Sequence, residues 1–119
     1  MHHISVRVKE HDGVVSDYQG VLLVSLLESA GLKFGKALRG KRLASYLLVQ
    51  ASDGYAVVFA LPELDPTFGD RMIFLADSKN GAALPLEEAP LRVIVRDEMP
   101  AARWIRQVVA LNVISANLQ

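Results

Sequence analysis

The chain has 119 residues, is 51% apolar and 22% charged, sets 13 basic against 13 acidic side chains, and contains no cysteine. That length suits a single domain with an ordinary hydrophobic core, and the composition excludes a disordered chain, a disulfide framework and any thiolate-ligated metal or redox centre. With zero formal net charge, no global field draws the chain to nucleic acid or acidic lipid, and neither is an expected partner.

Met1-His2-His3-Ile4-Ser5 lacks the apolar stretch of about 7–15 residues found in secretory signals. No run approaches the ~20 apolar residues of a membrane span. As written, the chain reads as cytoplasmic, or periplasmic if a signal segment has been removed. Ile4, Val6 and Val8 alternate with Ser5, Arg7 and Lys9, the period of a half-buried strand. His11-Asp12-Gly13 reads as a turn and Val14 to Tyr18 as the returning strand. Leu23, Leu26, Leu27 and Ala30 form one stripe of a short helix, with Gly31 as its stop. Lys33 to Arg42 is a basic connector. Tyr46–Ala51 and Ala56–Leu61 flank Ser52-Asp53-Gly54-Tyr55, a strong hairpin signal. Pro62 to Pro66 has room for one helical turn. Met72 to Ala76 is a strand, Lys79-Asn80-Gly81 a turn, and Leu91 to Arg96 another alternating strand. Ala101 to Gln107 is expected to form one or two helical turns before a closing strand, Val108 to Ile114. The fold class is α+β: one strand-rich mixed domain with little helix.

Few motifs carry chemistry. Gly35 to Arg42 fits GxxxxGK, but Arg42 stands where a phosphate loop needs Ser or Thr, and a helix rather than a strand precedes it. The segment still gathers Lys33, Lys36, Arg39, Lys41 and Arg42, a local excess of positive charge that reads either as a solvated loop or as an anion site. His2, His3 and His11 have no carboxylates at helical spacing, so no metal site is expected. No GxSxG elbow or Cys–His pair supports nucleophilic catalysis. Asp53, Glu63, Asp65 and Asp70 read as turn caps rather than as an acid–base pair. One stretch suits a planar anionic ligand: Arg103 and Arg106 flank Trp104, the only tryptophan. On one helical turn the two guanidiniums share a face and the indole offers a stacking plane. The alternative is a core tryptophan between two surface arginines.

Tyr18-Gln19-Gly20-Val21-Leu22-Leu23, Leu26 to Gly31 and Asp53-Gly54-Tyr55 occur in the order found in a known family. Leu75-Ala76-Asp77, Asn80-Gly81, Leu84-Pro85, Ala89 to Val93, and Ala102-Arg103 with Arg106 continue it. From about Val14 to Ile114 the chain resembles the oxidoreductase molybdopterin-binding domain, the sulfite-oxidase fold. The resemblance implies a mixed α+β domain over 1–119 with the family's N-terminal segment missing, and a loop-lined groove for a pterin or molybdopterin-like ligand. It implies Arg103 and Arg106 as ligand-binding residues, with Arg106 in the family's lysine position; Trp104 and Tyr55 are the side chains expected to stack on or line such a groove, the alternative being core positions. Catalytic members bind molybdenum through a cysteine, and this chain has none. Ala89 and Arg96 replace the family's usual glycine and proline. The short, cysteine-free branch resembles bacterial pterin-binding proteins, so the expectation is a pterin-binding module without a metal and without molybdenum redox catalysis. A structural or interaction domain with a protein partner, and a working molybdopterin oxidoreductase, are the alternatives.

Overall fold

Alternating apolar residues near the N-terminus make the first hairpin. In the computed structural model, which describes residues 1–10, 12–69, 71–98 and 101–115, β1 (Ile4–Lys9) pairs antiparallel with β2 (Val15–Leu22), from Ile4 opposite Gly20 to Lys9 opposite Val15. Asp12 accepts the Val14 N–H at 3.0 Å and Gly13 takes φ +86°, a left-handed conformation that favours glycine. β2 runs four residues beyond the expected Tyr18, because Gly20 to Leu22 pair with β5 (Ile73–Lys79) past an irregularity at Gln19/Gly20. At Gly20 a Cβ would lie 2.0 Å from the Leu75 carbonyl oxygen, so the two strands meet there without room for a side chain.

β2 feeds directly into α1 (Leu23–Ser29), which buries Leu23, Val24 and Leu27. Its end is a Schellman motif: Gly31, at φ +103°, donates to Glu28 and Leu32 donates to Leu27, both at 3.0 Å. The basic connector contains two short 3-10 turns, Gly35–Ala37 and Gly40–Ala44. β3 (Tyr46–Ala51) and β4 (Ala56–Ala60) form the expected Asp-Gly hairpin, with Gly54 at φ +91°. The single turn after it is α2 (Leu61–Leu64).

β5 is the axis of the first sheet. On one edge it pairs with β2; on the other it pairs with β6 (Ala82–Ala83) and β7 (Arg92–Val95). Asn80 and Gly81, both at positive φ, form the two-residue connection to β6, a short return strand that the sequence reading did not include. The second sheet has the order β4-β3-β8, with β8 spanning Val108–Ile114. Between the sheets lies the core, where Tyr18, Leu23, Leu47, Phe59, Phe74 and Val93 are completely buried. The architecture is therefore strand-rich α+β with two antiparallel sheets and little helix, as expected. No helix of the described residues is long and apolar enough to cross a membrane.

The expected helical turns at Ala101–Gln107 are not present. One reverse turn closes where Trp104 N–H donates to Ala101, and then the backbone extends, with Gln107 at φ +54°. Tertiary pairing overrides local propensity here. Ile105 O accepts from Val93, Gln107 N–H donates to Glu88 O at 2.9 Å, and Val108 N–H donates to Leu91 O at 2.8 Å.

Candidate functional site

The extended run after Ala101 lies beside the β3–β4 hairpin turn and the loop before β7, and the three enclose a groove of about 470 Å³. Tyr55, Trp104 and Arg106 all line it, so three of the four residues singled out in the sequence converge. Asp53, Glu87, Arg92 and Gln107 complete its polar wall. Each position has a local cause. Asp53 accepts the Tyr55 N–H at 2.9 Å and so closes the hairpin turn, the capping role expected of it. The Tyr55 hydroxyl donates to Ala102 O at 2.9 Å, tying the ring to the opposite wall. Gln107 receives the Ser52 hydroxyl at 3.1 Å and donates to Leu86 O at 3.3 Å, linking all three segments.

The two arginines part company. Arg106 is exposed, and no ion pair of the described residues includes it. Arg103 is not among the groove residues. Its guanidinium holds both Glu63 oxygens at 3.0 and 2.9 Å, pairs with Glu98, donates to Val58 O at 3.1 Å, and lies 4.5 Å from the centroid of the Phe59 ring. Hydrogen bonds to Glu63 and Glu98 raise its pKa further above the ordinary arginine value. The face shared by Arg103 and Arg106 required a helix, and without one the pair separates. Trp104 is 5% exposed, so its ring forms a wall and not a free stacking plate, and its buried Nε1 has no hydrogen-bond partner among the described residues.

Beneath Trp104 is a charged cluster that the sequence reading did not single out. Arg92 Nη1 contacts Glu88 at 2.5 Å, the Tyr18 hydroxyl at 2.7 Å and Glu10 at 2.9 Å. The Tyr18 hydroxyl donates to Glu88 at 2.6 Å, and Lys79 Nζ reaches Glu88 at 3.2 Å and Glu10 at 3.4 Å. Burial pushes the Glu88 carboxyl up, but hydrogen bonds from Tyr18, Lys79 and Arg92 outweigh it and leave the group below its ordinary value. Glu10 is lowered too, its burial outweighed chiefly by Arg92 and Lys79. Burial and the Glu88 contact push the Tyr18 hydroxyl up to about 12. On its other side, Glu10 borders a second cavity of about 630 Å³ with Trp104, Lys9 and Arg96.

Of the other carboxylates singled out in the sequence, Glu63 and Asp65 each accept backbone N–H groups at a turn, Glu63 in addition to its pair with Arg103. Glu63 accepts the Ala60 N–H at 2.9 Å, and Asp65 accepts from Thr67 and Gly35. Asp70 and His11 lie outside the described residues. Among the described residues, no three His, Cys, Asp or Glu side chains converge as a metal site.

No protein-family model, curated protein or solved structure matches the chain.

Proposed function

We propose that the domain is a sulfite-oxidase-fold module that binds a pterin-type ring without molybdenum redox catalysis. The observation that carries this reading is the convergence of Tyr55, Trp104 and Arg106 on one groove together with the carboxylates of Asp53 and Glu87. A pterin edge presents amino and ring N–H donors beside an oxo acceptor. Asp53 and Glu87 suit the donors, and Arg106 suits the oxo group or an anionic substituent. Tyr55, held by Ala102, gives a planar side chain at the entrance. The groove volume falls in the range of small-ligand sites. The donor set therefore fits the ring, and it contains no thiolate to hold a metal beside it. The work assigned to these residues is binding and orientation.

The test is titration of a pterin, read by fluorescence quenching, on the wild type and Arg106→Gln. Loss of a charge-assisted contact should weaken binding by about 1.5–3 kcal/mol, roughly ten- to a hundredfold. Equal affinities in two equally stable proteins would remove Arg106 from the site. Elemental analysis finding stoichiometric molybdenum would favour the oxidoreductase alternative. The second reading, a structural or interaction domain that has lost its ligand, draws on Arg103, which is engaged by Glu63 and Glu98, and on the buried Trp104. It predicts no pterin binding by the wild type.

A further inference from the structure

The groove does not involve the basic segment. Between Glu28 and Asp53 the chain has no carboxylate and five cations: Lys33, Lys36, Arg39, Lys41 and Arg42. The segment is ordered. Leu38 is buried beneath it, and Arg42 donates back to Ala37 O at 2.8 Å and Lys33 O at 2.7 Å. Gly35 N–H is held by Asp65 at 2.6 Å. Arg42 is thus engaged internally, while Lys33, Lys36, Arg39 and Lys41 are exposed and belong to no ion pair of the described residues.

Two exposed apolar side chains lie on turns joined to this segment through the chain or through Asp65. Leu43, 42% exposed, sits in the second 3-10 turn. Phe68, 51% exposed, sits on the turn whose Thr67 N–H is bound at 2.9 Å by the same Asp65 that holds Gly35. We propose that this surface docks reversibly on an anionic lipid bilayer. Lipid headgroups supply the diffuse negative charge that suits three lysines and one arginine, and the acyl boundary takes up Leu43 and Phe68. A polyanion would satisfy the charge and leave both apolar groups in water. A zero net charge removes long-range attraction of the whole protein, but a local patch acts within a Debye length of about 8–10 Å. One patch without a lipid chain gives weak, reversible docking. The segment lies before the start of β3 and the groove at its end, about 20 Å away along six residues. Docking therefore stands or falls independently of the ligand reading.

The experiment is co-sedimentation of the full chain with phosphatidylcholine vesicles containing about 30% phosphatidylserine, against pure phosphatidylcholine, in low and in about 0.15 M salt. Partition should require phosphatidylserine and fall as salt rises. Each cation replaced by Gln among Lys33, Lys36, Arg39 and Lys41 should weaken it about fivefold. Leu43→Ser with Phe68→Ser should weaken it several-fold while leaving its salt dependence unchanged. Melting temperatures equal to wild type establish that the exposed substitutions preserve the fold. No preference for phosphatidylserine, or wild-type partition by the folded fourfold Gln variant, would overturn the proposal. Unchanged partition by the Ser pair, or tighter binding to a single-stranded oligonucleotide than to the vesicles, would overturn the lipid assignment.

Discussion

Arg92 and Arg103 each hold two glutamates, in settings that differ in water access. Arg92 is 3% exposed and its partners Glu88 and Glu10 are 3% and 8% exposed. Arg103 is half-buried, with Glu63 and Glu98 partly open to solvent. In the first cluster, desolvation costs several kcal/mol per ion, and only the full set of contacts through Tyr18 and Lys79 offsets it. In the second, water already screens the charges, so the same chemistry contributes less. The lesson is that the number of ion pairs does not rank the two arginines; the cost of leaving a partner unpaired does.

The largest test of that contrast is Arg92→Met. It leaves two buried carboxylates with Lys79 as their one remaining cation and should cost about 3–5 kcal/mol, measured by urea unfolding. A loss near 1 kcal/mol would erase the distinction. Adding Glu88→Gln and Glu10→Gln to Arg92→Met should recover part of the loss, because the two buried carboxylates left short of positive charge go too.

The pH dependence follows from the same cluster. Glu10 and Glu88 are held below their ordinary values, so their contribution is complete above the unfolded carboxyl value of about 4.3 and is lost as pH falls through the folded ones. Tyr18, raised to about 12, and Lys79, also raised although burial opposes it, contribute below about pH 10 and lose that contribution as pH rises further. Melting temperature should therefore be flat between about pH 5 and 9 and fall on both sides. In Arg92→Met the acid limb should begin at higher pH.

Arg103→Gln should cost less, about 1–2 kcal/mol, from a solvent-screened bidentate network and the contact over Phe59. It should leave pterin affinity within about threefold, since its guanidinium points to Glu63 and Glu98. A tenfold loss in a stable variant would return Arg103 to the site. The smallest effect on stability is expected for Arg106→Gln, within about 0.5 kcal/mol by thermal unfolding.

The sequence showed whatever was encoded by near neighbours. Gly31 marked the end of α1 because a Schellman turn needs that residue, and Asp53-Gly54 marked the β3–β4 hairpin for a similar reason. Trp104 and Arg106 are legible as neighbours in one short stretch, and both still reach the groove with Tyr55 of the β3–β4 hairpin, although the helical turn expected to carry them with Arg103 is absent. Ala101–Gln107 misled because its backbone partners, Glu88, Leu91 and Val93, are set by tertiary pairing. Arg92 was passed over for another reason. An alternating Leu-Arg-Val-Ile-Val run suggests a strand with one wet face, whereas all four residues of β7 are buried. Its partners Tyr18 and Glu10 lie 74 and 82 residues away, beyond any local pattern. Only Glu88, four residues earlier, offered a nearby hint.

The contact at Gly20 has a consequence for how freely this chain can vary. Since any Cβ there would fall 2.0 Å from a backbone oxygen of β5, no rotamer choice relieves the overlap, and the strands would have to separate along the seam that joins the first hairpin to the rest of its sheet. Tyr18, two positions away on β2, would shift with them, and with it the hydroxyl to which Arg92 donates. A library randomised at this position and selected for folded protein should return glycine alone, while the same library at exposed Gly13 or Gly54, where a Cβ meets nothing within 4 Å, should also return asparagine or aspartate.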